Sequence, residues 1–174
     1  MKSKWALAVI VGLVALAVYA ASVLATPATS PGFSGTTMAK ATYGEIDSHV
    51  VAEPGWQEKI KTHGSSDLYV QQNTWDPGLC GGCTPSTGWH THPGPSFIVV
   101  TQGSVTVYDG DDPTCSPHVY TANTANNAFV DAGGGHDHVI RNESGSVAKT
   151  IAVQLIPAGA DRRQDSPDPG NCSF

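Results

Sequence analysis

Apolar and polar residues alternate with a period of two along much of this chain, and long helical patterns are missing from it. The alternation is clearest in segments 67–75, 104–108 and 147–156, and clusters of Gly, Pro, Asp and Ser separate such segments. Because successive side chains of a β-strand point to opposite faces, this pattern predicts half-buried strands joined by turns. The predicted strands are 41–46, 56–61, 67–75, 88–92, 97–101, 104–108, 118–121, 128–131, 136–142 and 147–156.

Many short strands at regular spacing predict an all-β domain, built as a small antiparallel β-barrel or sandwich. A length of 174 residues is sufficient for one such domain with its own hydrophobic core. Two connections carry strong turn sequences, Asp109-Gly110 and segment 143–145, and we expect the second to close a hairpin between the last two strands. Segment 158–174 is polar and rich in proline, which predicts a C-terminal tail.

The beginning of the chain differs in composition from the rest. Lys2 and Lys4 precede a long apolar run that ends in small residues, so segment 1–25 is predicted to be a signal peptide. The run is also nearly long enough to span a bilayer, which makes an N-terminal membrane anchor the alternative. Either assignment predicts a secreted, periplasmic or cell-surface domain. Segment 26–37, rich in Pro, Ser, Gly and Thr, is predicted to be a linker to a domain at 38–157.

The charge of the chain limits its partners. The formal net charge is −6, and the domain carries no cluster of Lys and Arg. Nucleic acids and anionic lipids bind basic surfaces, so we expect no nucleic-acid partner for this domain. Contact with a membrane is expected only through the N-terminal segment, if that segment is not cleaved.

Four cysteines in an exported chain predict two disulfides. Cys80 and Cys83 lie in a Gly-rich loop between strands, without the βαβ context of a redox motif, which favours a local disulfide between them. Cys115 and Cys172 would then pair and tie the C-terminal tail to the domain. Two other pairings remain open from the sequence, 80–115 with 83–172 and 80–172 with 83–115.

Four of the seven histidines occur in two His-x-His pairs, His90 with His92 and His136 with His138. Residues i and i+2 of a strand share a face, so each pair can direct two imidazoles toward one point. Each pair also lies beside a Gly-rich turn and a strand-like run. Histidine is a common ligand of transition metals, and the two pairs therefore predict a metal site.

The spacing around the two pairs resembles the two sequence motifs of the cupin superfamily over about residues 69–157. In the first motif a His-x-His is followed by Glu and later by Gly, and in the second a Gly precedes a His and an Asn. The matching positions are Gly88, His90, His92 and Gly103 for the first motif, and Gly133, Gly135, His138 and Asn142 for the second, with Gly133 where Pro usually stands. The resemblance implies a cupin β-barrel, or jelly roll, that holds a metal ion.

The resemblance also implies a ligand set. Cupin ligands are the two histidines of the first motif, the glutamate after them and the histidine of the second motif, which correspond here to His90, His92, Ser96 and His138. Ser96 departs from the pattern, because a neutral hydroxyl is a poor replacement for a carboxylate. The remaining three histidines are similar to the three-His sites of thiol and diketone dioxygenases in the superfamily. His136 would be a fourth ligand only if no bulge separates it from His138.

Three classes of function are compatible with this interpretation. The first is a metalloenzyme, a dioxygenase-like oxidoreductase or an isomerase-like cupin that acts on a small chelating molecule. The second is a cupin that binds a metal or small ligand without catalysis, and the third is a structural barrel that has lost its metal. The expected cofactor is a divalent ion of Fe, Mn, Zn, Ni or Cu. The expected partners are a small-molecule ligand or substrate and, as a homodimer, a second copy of the chain.

Overall fold

The computed structural model describes residues 30–174, so the predicted signal peptide or anchor and the first residues of the predicted linker lie outside the described residues. The strands are β1 (Phe33–Tyr43), β2 (Asp47–Glu53), β3 (Trp56–Lys61), β4 (Ser66–Trp75), β5 (His90–Thr91), β6 (Ser96–Gln102), β7 (Ser104–Asp109), β8 (His118–Thr121), β9 (Ala128–Asp131), β10 (His138–Arg141), β11 (Ala148–Pro157) and β12 (Gln164–Asp165). A single 3₁₀ turn, Pro77–Leu79, completes the regular structure of this part of the chain. None of the described residues forms a helix long and apolar enough to cross a membrane.

The strands form two five-stranded sheets that enclose a common interior. The first sheet has the order β1-β4-β11-β6-β9, and the second has the order β12-β5-β10-β7-β8. Every pairing within them is antiparallel. Strands β2 and β3 pair with each other as a separate hairpin. The predicted fold class, an all-β antiparallel barrel of the jelly-roll type, is confirmed.

Alternation along β6 and β11 explains how the first sheet presents a buried face. Ile98 and Val100 of β6 point inward and are buried, whereas Phe97 and Val99 between them are exposed. On β11 the buried positions also occur at every second residue. These side chains pack with residues of the second sheet into an apolar core formed by Trp75, Val100, Val105, Val107, Ile140 and Ala148. Full burial of one large apolar side chain stabilises the fold by about 1.5–3 kcal/mol, so this cluster is the main stabilising element.

The inner face of the first sheet becomes polar toward the other end of the barrel. On β11 the inward positions change from Ala148 and Ala152 to Gln154, and on β6 they change from Val100 to Ser96. All of these positions remain buried. Burying polar groups is unfavourable unless they find partners, so this end of the interior is where a functional site is expected.

The predicted linker overlaps the first strand, and this part of the prediction is wrong. β1 begins at Phe33, and its register with β4 runs from Phe33 opposite Trp75 to Tyr43 opposite Ser66. The ring centroids of Phe33 and Trp75 lie 5.0 Å apart, which anchors the start of the strand to the core. The composition of this segment is typical of a linker, but its backbone finds hydrogen-bond partners along the edge of β4.

The hairpin predicted at 143–145 is also wrong. β10 pairs with strands of the second sheet and β11 with strands of the first, so the turn between them passes from one sheet to the other. The buried side chain of Asn142 holds this corner, because its Nδ2 donates to the carbonyls of Trp75 and Ser146 at 3.2 and 2.6 Å. Its Oδ1 accepts hydrogen bonds from the backbone and the hydroxyl of Ser144.

The C-terminal segment 158–174 is part of the barrel rather than a separate tail. Within it, β12 pairs with β5, the strand that carries the first histidine. Beyond β12, Cys172 bonds to Cys115, and the ring of Phe174 packs 4.9 Å from that of Tyr108 on the outer face of the second sheet. The predicted tail is joined to the domain by the disulfide, and the strand pairing of β12 is an additional contact that the sequence did not predict.

The two disulfides predict a measurable difference in stability. Cys115 and Cys172 are 57 residues apart in sequence, whereas Cys80 and Cys83 are 3 apart. In the loop-entropy model, the Cys115–Cys172 bond is expected to add about 4 kcal/mol to the free energy of unfolding and the Cys80–Cys83 bond about 2 kcal/mol. Replacing both members of each pair by serine, followed by chemical denaturation, should show the larger loss for Cys115 and Cys172. Equal losses would mean that the C-terminal segment is held mainly by packing.

Candidate metal centre

Three histidines from the two His-x-His segments meet at the polar end of the barrel. His90 begins β5 and lies directly opposite His138, the first residue of β10, in the antiparallel register of the second sheet. His92 follows two residues after His90 in an extended segment, which directs it to the same face. The ring centroids are 4.3 Å apart for His90 and His138, 4.9 Å for His90 and His92, and 5.5 Å for His92 and His138. One nitrogen from each buried ring lies within 4.8 Å of the others.

Backbone carbonyl groups orient two of the three rings. Nδ1 of His90 lies 2.9 Å from the carbonyl oxygen of Gly88, and Nδ1 of His92 lies 2.7 Å from that of Arg162. Because a carbonyl oxygen can only accept a hydrogen bond, each Nδ1 carries the hydrogen and each Nε2 keeps its lone pair. The amide nitrogen of Gln154 lies farther from Nδ1 of His92, at 3.2 Å, so the shorter contact decides the tautomer. Both Nε2 atoms can therefore bind a metal ion.

His138 differs from the other two histidines. Its side chain is 2 % exposed, and neither ring nitrogen has a hydrogen-bond partner among residues 30–174. Nδ1 lies 3.6 Å from Oδ1 of Asp131, which is longer than a hydrogen bond. Each unsatisfied buried polar atom costs about 1–3 kcal/mol, so the ring is unfavourable without a further partner. A metal ion bound to one of these nitrogens would remove part of this cost, and the residues present therefore fit a metal ion.

Ser96 stands at the glutamate position of the first motif and makes a neutral contact. Ser96 and Gln154 lie opposite each other on β6 and β11. Nε2 of Gln154 donates to Oγ of Ser96 at 2.9 Å, and Oε1 of Gln154 accepts from Nη1 of Arg162 at 2.9 Å. The hydroxyl is thus held by an amide, and it brings no negative charge to the three histidines.

The structure does not bring His136 into the group formed by His90, His92 and His138. Its ring centroid lies 6.5 Å from that of His138, and its side chain is 36 % exposed. β10 begins only at His138, so the alternation of faces does not extend back to His136. The preceding glycines, at 133–135, all have positive φ angles, and they bend the chain before the strand begins. His136 instead belongs to a second group that could hold a metal ion, with Asp131 and His138.

Gly133, which replaces the usual proline of the second motif, has a steric reason to be glycine. Its φ angle is +66°, in the left-handed region that favours glycine. A Cβ at this position would also collide with the carbonyl oxygen of Gly94. The close approach joins the loop after β9 to the loop after His92, whose carbonyl accepts a hydrogen bond from the amide of Gly134 at 2.7 Å.

A cavity of about 220 Å³ lies beside the three histidines, and two arginines contribute to its wall. Arg162 reaches it through the contact with Gln154, and Arg163 donates from Nη2 to the carbonyl of Thr87 at 2.7 Å. Burial lowers the pKa of both guanidinium groups from the ordinary value of 12.5. Neither arginine is predicted as a site residue from the sequence, because both lie in the segment assigned to the C-terminal tail. The available signal was a doublet of arginines in a chain with only nine Lys and Arg residues.

Asp131 is a further residue that sequence analysis missed. It ends β9, lies opposite Ser96 in the register with β6, and is 6 % exposed. Its Oδ1 accepts a hydrogen bond from the amide of Gly133 at 3.0 Å. The signal for it was an acidic residue at an inward position of a predicted strand.

Burial lowers the pKa of all three clustered histidines, because it penalises the charged imidazolium. The pKa of His92 and that of His138 are lowered from 6.5 to about 4, and the pKa of His90 is lowered well below 6.5. Nearby positive charge, including that of Arg163, lowers the pKa of His90 and His138 further. All three rings are therefore neutral at pH 7, which is the form that binds a metal ion.

Comparison with known proteins reveals similarity in fold. No protein-family model matches the chain, and no curated protein sequence matches it. Similar solved structures include a cupin domain from Bordetella pertussis Tohama I, with 13 % identity and a TM-score of 0.42, over 72 % of this chain and 95 % of that one. A cupin-like protein from Thermotoga maritima MSB8 has 14 % identity and a TM-score of 0.43, over 58 % of this chain and 65 % of its own.

A third similar structure is an oxalate decarboxylase from Lactobacillus farciminis in a formate complex. It has 15 % identity and a TM-score of 0.43, over 56 % of this chain and 26 % of the decarboxylase. The chain thus corresponds to about a quarter of that enzyme. All three similarities concern the fold alone.

The burial of the rings predicts their protonation in the metal-free protein. Side-chain ¹⁵N NMR should find His92 and His138 neutral down to about pH 4, whereas an unburied histidine titrates near 6.5. Between these values the unfolded chain binds more protons than the folded one. The contribution of these two rings to stability is therefore complete above pH 6.5 and is lost as the pH falls toward 4. Midpoints near 6.5 for both rings would show that solvent reaches them.

Proposed function

We propose that this chain, a member of the cupin superfamily by its fold and its two histidine motifs, binds a divalent metal ion through His90, His92 and His138. The proposed role of the ion is to hold a small anionic molecule in the adjacent cavity. One observation carries the proposal: three buried neutral imidazoles direct ring nitrogens to a common point within 4.8 Å of one another. Fe, Mn, Zn, Ni and Cu all accept imidazole ligands.

The unsatisfied ring of His138 argues against a purely structural barrel. A barrel without a metal would be more stable with an apolar side chain at this position, because both ring nitrogens lie buried without a partner in the described part of the chain. The backbone contacts that orient His90 and His92 are likewise those expected of metal ligands, since ligating histidines commonly donate their second nitrogen to an oxygen.

Three neutral ligands leave the charge of a divalent ion uncompensated by the three-His group. When bound, the ion would supply a Lewis acid with coordination positions open to an exogenous chelating molecule. The chain itself contributes Arg162, whose positive charge favours an anion in the cavity, whereas Arg163 also lines the cavity but forms an ion pair with Asp165 at 2.7 Å. Ile98, Ile140 and Ala152 contribute the apolar part of the lining. A small, anionic, bidentate molecule therefore fits this cavity best.

The cavity lining also bears on the type of reaction. Among the described residues that line it there is no carboxylate, tyrosine or lysine. An isomerase usually needs an acid or base that is not a metal ligand to move a proton, and the three histidines of the lining are the proposed ligands, so this lining disfavours isomerase-like chemistry. Oxygenase-like chemistry at the metal ion is the enzymatic function we propose. Binding without catalysis is the second candidate, because a lining whose only acid–base groups are the three proposed ligands suits it equally well.

We also propose that the domain is exported. All four cysteines of the chain form disulfides, Cys80 with Cys83 and Cys115 with Cys172. Disulfides of this kind are typical of oxidising compartments. The apolar segment 1–25 is the proposed signal peptide or anchor, which supports a secreted, periplasmic or cell-surface location.

Removal of any one of the three histidines is expected to abolish stoichiometric metal binding. The unmodified domain, purified without a histidine tag, should bind close to one Zn²⁺ or Co²⁺ per chain in equilibrium dialysis at pH 7. His90→Ala, His92→Ala and His138→Ala should each weaken binding by at least about tenfold, because each removes one of three protein ligands.

His63→Ala is the matched control, because His63 is exposed and lies outside the centre. It should leave both stoichiometry and affinity unchanged. Failure of the unmodified domain to take up metal would refute the proposed function.

The charge of the cavity predicts selectivity for anions. In the Co²⁺-loaded protein, oxalate is expected to change the visible spectrum, and Arg162→Gln should weaken its binding by about tenfold. The same change should have little effect on imidazole, a neutral ligand. Arg141→Gln, outside the cavity lining, serves as the control. If both variants weaken oxalate binding equally, Arg162 has no specific role in anion binding.

A further inference from the structure

The carboxylate of Asp131 is buried, and within residues 30–174 its ion-pair contacts are with histidines only. Its side chain is 4 % exposed, and Oδ2 has no hydrogen-bond partner within residues 30–174. Oδ1 accepts a single hydrogen bond, from the amide of Gly133. A buried carboxylate normally requires a cation or several donors, because loss of its hydration is costly.

Histidines are the nearest titratable groups to this carboxylate. Oδ2 lies 3.8 Å from Nε2 of His92, and Oδ1 lies 3.6 Å from Nδ1 of His138. Nδ1 of His136, at the rim, lies 3.9 Å from Oδ1. All three contacts are longer than a hydrogen bond, so none of these rings satisfies the carboxylate. What the carboxylate lacks is a positive charge on the side of the histidine cluster.

Asp131 lies next to Ser96, the position at which the first motif lacks its usual glutamate. Ser96 lies on β6 between Gln154 of β11 and Asp131 of β9, and directly opposite residues of antiparallel strands share a face. The three side chains therefore form one inward row. A carboxylate is missing at Ser96 and present one strand away in the same row.

Asp131 also completes a pattern among the three rings. Nδ1 of His90 and Nδ1 of His92 each face a carbonyl oxygen, and Nδ1 of His138 faces Oδ1 of Asp131. A ligating histidine commonly donates its second nitrogen to a carboxylate, which orients the ring and makes it a stronger ligand. With Nδ1 directed to Asp131, Nε2 of His138 becomes the ligand atom, as in the other two rings.

We infer that Asp131 supplies the anionic group of the metal centre, in place of the glutamate that the first motif lacks at Ser96. Oδ1 orients the ring of His138, and Oδ2 lies 3.8 Å from Nε2 of His92, beside the three ligand nitrogens rather than within their group. This inference rests on the proposed metal binding and adds a residue from a strand outside both histidine motifs. The centre then consists of three neutral imidazoles and one carboxylate. The carboxylate lowers the net charge of the occupied centre.

The test compares Zn²⁺ affinity, measured by competition with a chromophoric chelator, in the unmodified domain and in Asp131→Asn. Asparagine keeps the shape of the side chain and can still accept from Gly133, but it carries no charge. Affinity is expected to fall by about 10–100-fold. The metal-free variant should unfold at the same or a higher temperature, because a buried charge has been removed. The rise in unfolding temperature on adding Zn²⁺ should shrink.

Ser96→Glu in the Asp131→Asn background tests whether the two positions are equivalent. Ser96 lines the cavity, which leaves room for a longer side chain. The double variant is expected to recover part of the lost affinity, which damage to the fold would not allow.

Two control variants distinguish the alternatives. Asp109→Asn removes a carboxylate that lies opposite His138 on β7 but is 30 % exposed, and it should leave the affinity unchanged. His136→Ala should also leave it unchanged. If Asp131→Asn binds Zn²⁺ as tightly as the unmodified domain, the inference is wrong while the proposed function stands. Loss of Zn²⁺ affinity in Asp131→Asn and His136→Ala, without a loss in His90→Ala, would place the ion at the group of Asp131, His136 and His138. That result would overturn both the inference and the proposed function.

Discussion

The antiparallel register between β5 and β10 is the constraint on which the site depends. It places His90 opposite His138, so both rings share the interior face. A shift by one residue would send one of them to the outer face. β5 is only two residues long and cannot hold this register alone. Thr87 just before it holds the register instead, because its amide and Oγ1 bond to the carbonyl and amide of Ile140, each at 2.9 Å.

The barrel can keep a polar end because the other end is apolar. Trp75, Val105 and Ala148 are completely buried, and their burial stabilises the folded state. This stabilisation offsets the cost of burying polar groups at the other end. β6 and β11 each run from the apolar end to the polar end. Their inward residues are apolar at one end, and Ser96 and Gln154 lie at the other. The rigid core thus positions the polar groups, and the unsatisfied atoms of Asp131 and His138 lie where a ligand can satisfy them.

The C-terminal segment links stability to the site. Its carbonyl at Arg162 fixes the tautomer of His92, and the guanidinium of Arg163 bonds to Thr87, the residue that sets the register of β5. β12 covers the edge of β5, and Cys172 ties the segment to the loop after β7. A change in this segment would therefore affect the orientation of a candidate ligand as well as the packing of the barrel.

The sequence by itself determined the all-β class, most strands, the two His-x-His segments and the absence of a carboxylate at Ser96, because alternation and spacing are local properties of the chain. It could not determine that β10 and β11 belong to different sheets, or that Phe33 begins a strand, because strand pairing depends on distant partners. Only the tertiary structure decided that Asp131 lies beside Ser96 and that Arg162 contacts Gln154. The register of the sheets brings these residues together although they are far apart in sequence, and no local pattern of residues encodes that register.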